Sequence, residues 1–228
     1  MPNELNLQTP VPTEPVAHWI RQVSASDAEG LRRVSALHME LLDFGPMAQF
    51  GDEFIRRICY AIPVREGLLH LAIAEVGDQP VGFIAYTDRA KDFHRAMFRK
   101  HLVEAGWLIG LSLLQRPQRV LQLPRAMKVV LSRDNLPKDV EEIQAEVVSV
   151  GVRPDFLTPA FVRRTGLRIG LMLLNHAIDH FRSGNHKRVR MIVDADNRRA
   201  LLFYHTLGAS FTPCSYGGVD SLAVSIGL

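Results

Sequence analysis

The chain changes hydrophobic period several times, and the changes mark its elements. Residues 18–23 form a short β-prone run. Beyond them Leu31, Val34, Leu37 and Leu41 recur every three to four positions, which puts them on one face of a helix, and Ser26-Asp27-Ala28-Glu29 in front has the form of a capping box. A second helix is predicted over residues 48–62, carrying Phe50, Phe54, Ile55 and Ile58. Two β-rich runs, 69–76 and 81–86, flank Gly77-Asp78-Gln79-Pro80 and predict a hairpin. A further strand is expected at about 145–154, then a long helix, then strands at 190–193 and 209–211 that bracket a helix between Asn197 and Gly208. The order predicts an α/β fold: a mixed, twisted sheet of about six to seven strands with helices on both faces and a helical insertion after the third strand.

Composition narrows the class. With 228 residues, 47% of them hydrophobic, the chain can bury a full core in one domain, expected over residues 18–228. Residues 1–17, rich in Pro, Asn, Gln and Thr, read as a flexible arm; they lack the basic start and apolar segment of a signal peptide. The apolar run 107–114 is too short for a bilayer span. Cys59 and Cys214 show neither metal spacing nor a disulfide framework, which fits a reducing cytoplasm.

Charge is uneven. Residues 89–140 hold eleven Lys or Arg against four Asp or Glu, whereas the whole chain has a formal net charge of only +3. Phe93, Met97, Trp107, Leu108, Leu111 and Leu114 give this basic insertion an amphipathic helical character. A solvated flap or dimer contact, a lid that attracts an anionic acceptor, and a membrane or nucleic-acid contact all fit that pattern.

Two stretches carry the candidate chemistry. Ala145 to Phe156 contains Val150, Val152 and Pro154 in an apolar-x-Val-x-Pro arrangement, and Asp194 to Phe211 contains Asn197 and Tyr204 seven positions apart, followed by Gly208. Between them Arg164, Thr165, Gly166, Leu167, Arg168, Ile169 and Gly170 lead into a long helix. A helix N-terminus offers unbonded amides and the positive end of a dipole, so it suits a pyrophosphate. Gly166 and Gly170 permit close approach, and Arg163, Arg164, Arg168, Arg198 and Arg199 add positive charge. These stretches resemble the signatures of the GCN5-related N-acetyltransferase (GNAT) superfamily over roughly residues 18–228, most specifically from 144 to 211. The pattern departs from the family's at Thr165, where Arg or Gln is usual, and at Arg168, where Gly is usual; residues 157–164 are extra.

The resemblance implies a GNAT-type sheet and acetyl-CoA as acyl donor, with direct attack of an acceptor amine on the thioester and no metal. It places Val150, Val152, Arg164 to Gly170, Asn197 and Tyr204 against the cofactor. Tyr204 is expected to stabilise the departing sulfur, mainly by a hydrogen bond, because a phenol titrates near 10 and a thiol near 8.5. Glu146 is expected as general base, with Glu141 and Glu142 as alternatives. A small-molecule amine is the expected acceptor in preference to a protein, and a homodimer is allowed. Two other classes stay open: a catalytically silent acyl-CoA-binding regulatory module, suggested by Thr165 and Arg168, and a nucleic-acid-associated protein using the basic insertion. His176 and His180 have the i, i+4 spacing of zinc ligands without a third ligand pattern, Asp194 and Asp196 fit a strand end and a helix cap, and His94 and His101 are expected to be solvated.

Overall fold

The computed structural model describes residues 17–43, 45, 47–99, 106–110 and 135–228. Residues 1–16 of the expected arm and much of the basic insertion, including Lys100, His101, Leu111 and Leu114, lie outside them. Seven strands form one sheet: β1 (His18–Gln22), β2 (His70–Val76), β3 (Gln79–Thr87), β4 (Ala145–Val152), β5 (Arg188–Asp194), β6 (Ser210–Tyr216) and β7 (Val219–Gly227). Their order is β1-β2-β3-β4-β5-β7-β6. Neighbours are antiparallel except β4 and β5, which are parallel. Gly77 and Asp78 form the β2–β3 turn, with Gly77 at a φ of 59° that glycine tolerates. Strand β3 therefore starts two residues before the predicted run.

Helix α1 (Ala28–Leu41) begins one residue later than the predicted box: Asp27, not Ser26, accepts from the Gly30 amide. Glu29 pairs with Arg32 and Arg33. The second predicted helix is a composite, here α2, made of α-helical Asp52–Phe54, π-helical Ile55–Ala61 and α-helical Ile62–Arg65, with a 3₁₀ turn at Ala48–Phe50 in front. Pro63 explains the wide turn, since a proline ring clashes with the carbonyl four residues back in an α-helix. The Ile62 amide bonds instead to the Arg57 carbonyl.

After β3 come α3 (Ala90–Arg99) and α4 (Lys138–Glu141). After β4 follow a 3₁₀ turn (Pro154–Leu157), α5 (Pro159–Thr165) and α6 (Ile169–Ser183), so most of the extra residues before the glycine loop become a short helix. Helix α7 (Arg198–Thr206) joins β5 to β6. Among the described residues no helix is long and apolar enough to cross a membrane.

Strand alternation sends side chains to two cores. Ala72, Ala74, Ile84, Tyr86, Ala145 and Val147 meet Leu173, Leu174, Ala177 and Phe181 of α6. Leu71, Ile73, Phe83 and Ala85 meet Leu31, Val34 and Leu37 of α1 and Ile55 and Tyr60 of α2. A third cluster joins Phe50, Phe54, Ile58 and Ile62 to Leu108. Strands β3 and β4 approach closely at Gly82, where an added Cβ would lie 2.8 Å from the Gly151 carbonyl oxygen. Gly82→Ala is therefore expected to lower unfolding stability by about 1–3 kcal/mol, the range for overpacking; a urea midpoint equal to wild type would show that the strands separate freely.

Candidate active site

Strands β4 and β5 pair over only three residues, Ala145–Val147 against Val189–Met191, and then part. β4 nevertheless continues to Val152, paired with β3 on its other edge, while β5 continues to Asp194, paired with β7. The parted edge of β4, residues 148–152, thus presents backbone groups to a cleft that no strand fills. A bulge at Val148, where Ala85 opposes Ser149 and Tyr86 opposes Val147, adds twist at the point of parting. Val150 and Val152, both predicted for the cofactor, lie on this edge and pack toward α6.

Beyond β4 the chain turns into α6 through the loop singled out in the sequence. Gly166 ends α5 at a φ of 73°, a left-handed conformation that favours glycine. Thr165 is buried; its hydroxyl donates to the Phe161 carbonyl (2.8 Å) and accepts from the Leu167 amide (3.2 Å). Its side chain is turned into the protein and shapes the loop from behind. Leu167 and Ile169 are likewise buried in the α6 core, so only their backbone faces outward. Arg168 is the N-cap of α6 with no side-chain cap bond, and it is exposed. Among the described residues the amides of Ile169, Gly170 and Leu171 have no hydrogen-bond partner, as the first turn of a helix requires. Gly170 leaves room in front of them, since an added Cβ would come no nearer than 3.9 Å to Val152. Arg163 and Arg164 occupy the last turn of α5.

On the other wall, Asn197 is the N-cap of α7, its Oδ1 accepting from the Ala200 amide at 3.1 Å, which leaves its NH₂ group facing outward. Tyr204 is 3% exposed and packs in the α6 core against Phe203. Burial pushes its phenol up to about 12, so it keeps its proton. No described residue bonds its hydroxyl. A protonated donor that no described residue engages is suited to meet an incoming anion.

The opposite face of β4 carries a buried polar cluster. Glu146 and Arg190, paired in register across the parallel strands, are each 3% exposed. Arg190 donates to Glu146 Oε2 through Nε (2.8 Å) and Nη2 (2.6 Å), and through Nη1 to the carbonyls of Val140 (2.9 Å) and Glu141 (3.2 Å). His94 of α3 places Nε2 at 3.0 and 3.2 Å from the two oxygens of Glu146 and Nδ1 at 3.4 Å from the Tyr216 hydroxyl. His94 is thus half-buried on a carboxylate and not solvated as expected from sequence. Burial alone would raise the Glu146 carboxyl, but His94 and Arg190 outweigh it and hold the group below its ordinary range. A carboxylate held down in this way is a weak proton acceptor. Glu141 and Glu142, the alternatives, are exposed.

Beside this cluster His38 of α1 accepts from Tyr60 of the π turn (2.6 Å), and the Tyr60 hydroxyl lies 3.4 Å from Ser149 on the bulged strand. Burial lowers His38 to about 4 and raises Tyr60, which makes the neutral imidazole the acceptor and the phenol the donor. Arg190, Tyr216, His38 and Tyr60 carried no signal in the sequence, because each acquires its role from a partner far along the chain. A separate cavity of about 270 Å³ between α1 and the β2–β3 turn is lined by Arg32, Arg33 and Arg153 among others. Each of these arginines is paired, Arg32 with Glu29, Arg33 with Glu29 and Glu75, and Arg153 with Glu40, so the cavity offers no uncompensated charge.

This architecture is found in solved structures. PH1933 from Pyrococcus horikoshii OT3 superposes with a TM-score of 0.55 at 14% identity, covering 93% of this chain and 99% of that one. An agmatine N-acetyltransferase mutant gives 0.54 at 14% identity, with 93% and 100% covered. A Desulfovibrio desulfuricans protein described as a GNAT-family acetyltransferase gives 0.52 at 12% identity, with 92% and 99% covered. No family model and no curated protein matches the sequence. The chain has the GNAT acetyltransferase fold.

Two outcomes follow from the buried groups. Glu146→Ala strands the Arg190 guanidinium in the interior and is expected to cost about 3–5 kcal/mol of stability, read by chemical denaturation. His38 has a folded-state value of about 4, below the ordinary histidine value of 6.5, so it favours the unfolded chain as that chain takes up protons. Its contribution, on the order of 3 kcal/mol, is complete above about pH 6.5 and is lost as pH falls toward 4. His38→Gln should flatten the stability profile across that window; an unchanged slope would place the acid sensitivity elsewhere.

Proposed function

We propose that this protein is an acyl-CoA-dependent N-acetyltransferase that uses acetyl-CoA as donor and a small amine as acceptor. The observation that carries the reading is the parted edge of β4, whose Val152 borders the start of α6 with its unbonded amides, together with a Tyr204 hydroxyl in the α6 core that no described residue bonds. The GNAT fold supports it, and one protein sharing that fold is an agmatine N-acetyltransferase. The donor's phosphates and amide-rich arm match a row of free amides and an open strand edge. In this reading the amides of Ile169, Gly170 and Leu171 bind the diphosphate, and Arg163, Arg164, Arg168, Arg198 and Arg199 neutralise its charge. Backbone groups of Val150 and Val152 extend the sheet onto the pantetheine amides, with the Asn197 NH₂ group on the facing wall. Acetyl-CoA supplies the activated acyl carbon, and no covalent acyl-enzyme is needed.

Amines are mostly protonated near neutral pH, so a proton acceptor assists the attack. Glu146 is itself held by Arg190, and we assign it the role of orienting His94. Its carboxylate accepts from Nε2–H of His94, which leaves Nδ1, the nitrogen facing Tyr216, with the lone pair. His94 then takes the acceptor's proton, and Tyr204 donates a hydrogen bond to the departing sulfur, stabilising charge as it develops.

His94→Ala is expected to lower kcat by about 100-fold, with partial recovery in added imidazole, in a free-thiol assay over a panel of amines. Tyr204→Phe is expected to lower kcat by about 10- to 100-fold with donor affinity nearly unchanged. Tight donor binding without transfer to any amine would instead identify a silent acyl-CoA-binding module.

A further inference from the structure

On the α6 side of the sheet, three side chains distant in sequence converge. His70 opens β2, Asp88 follows β3, and His180 lies in the C-terminal half of α6. Nε2 of His70 is 3.9 Å from Oδ1 of Asp88, and Nε2 of His180 is 3.9 Å from Oδ2. One ligand atom from each of the three lies within 4.8 Å of the other two. The helix spacing of His176 and His180 offered no third ligand in the sequence. The fold supplies two partners for His180 from the sheet, while His176 turns to Gln22, 3.3 Å away.

We propose that His70, Asp88 and His180 form a binding site for a divalent transition-metal ion, zinc foremost, with at least one coordination position left to water. Two imidazoles and one carboxylate make a donor set suited to such ions, with softer and harder competitors disfavoured. Zinc bonds of about 2.0–2.2 Å in a tetrahedron place ligand atoms roughly 3.4 Å apart. The two 3.9 Å separations run to different oxygens of Asp88 and need to close by about half an ångström each, and a set of one atom per residue, spanning up to 4.8 Å, by up to about 1.4 Å. All three side chains are only part-buried, at 28%, 35% and 33% exposure, so their tips can move and solvent ions can reach them.

The rings are held from behind. Tyr86, 1% exposed, stacks on His70 at 5.3 Å and 24° and meets His180 edge-on at 5.2 Å and 64°. The two imidazole rings stand 4.2 Å apart at 50°. Arg89 opposes a cation here, and the Asp88 carboxylate counters it. A bound ion would tie the beginning of β2 and the end of β3 to α6, and so act on the rigidity of the sheet and not on the transfer chemistry.

The test is titration of the chelator-treated full chain with Co²⁺, followed by its visible d–d absorption, and with Zn²⁺, followed by Tm. One Co²⁺ per chain, displaced by one Zn²⁺, with Tm rising on Zn²⁺ addition, is expected. Asp88→Asn and His180→Ala should each weaken binding by at least about 100-fold, more than the 10- to 100-fold cost of removing an outer-shell partner. His176→Ala should bind as wild type. Absence of a one-to-one complex in the wild-type chain, or a loss of less than about 100-fold in affinity in either Asp88→Asn or His180→Ala, would overturn the proposal. Histidine NMR signals of the unmodified chain give a readout independent of any variant's folding: those of His70 and His180 must shift on Zn²⁺ addition, and shifts confined to other histidines would equally overturn it.

Discussion

The buried pair of Glu146 and Arg190 is the constraint from which the candidate site takes its shape. It spans the parallel strands within their three-residue pairing, one residue before the last paired position, and so acts as the rivet from which β4 and β5 diverge. The same guanidinium reaches the carbonyls of Val140 and Glu141, and the same carboxylate meets His94. One ion pair thereby ties two strands and two helices that the chain brings together from four separate segments. Two buried charges cost much to desolvate, and a pair of this kind is retained more readily for the geometry it imposes than for net stability. Here the imposed geometry is an open strand edge on one side and an ordered imidazole on the other.

The two walls of the cleft are built by different means. At α6 the protein leaves amides unbonded and covers the loop's rear with Thr165, Leu167 and Ile169, so the backbone alone faces outward. At α7 the groups that no described residue bonds belong to side chains, the NH₂ of Asn197 and the hydroxyl of Tyr204. Backbone donors at a helix start suit a dianionic group of fixed shape, whereas single side-chain donors suit individual atoms farther along an extended ligand.

Much of this was legible in the sequence. Periods of two and of three to four residues revealed the order of elements, because each strand and helix buries one face. The Val150-x-Val152-x-Pro154 run falls on the parted edge of β4, and the Asn197–Tyr204 spacing falls on the helix that follows β5. What stayed hidden depends on register between segments far apart. Arg190 reads as one basic residue of a strand until its pairing with Glu146, 44 positions away, is known. His94 reads as a solvated member of a basic stretch until α3 is laid against β4. His70 and Asp88 have no spacing pattern with His180, since a hairpin and a helix must pack before they meet. The cap at Asp27, one residue past the predicted box, shows a subtler limit: Ser26 and Asp27 are both competent caps, and Arg21 next to Asp27 adds a bond that local sequence does not reveal.

The π turn in α2 has a consequence for how the protein divides its interior. Each helical residue advances the side-chain direction by about 100°, so one surplus residue in a turn resets every direction downstream. Phe54, Ile58 and Ile62 thereby address the cluster around Leu108, while Ile55 and Tyr60 of the same helix address the sheet. A single rod thus serves as a shared wall between two compartments, and its π turn carries Tyr60, whose hydroxyl lies 3.4 Å from Ser149.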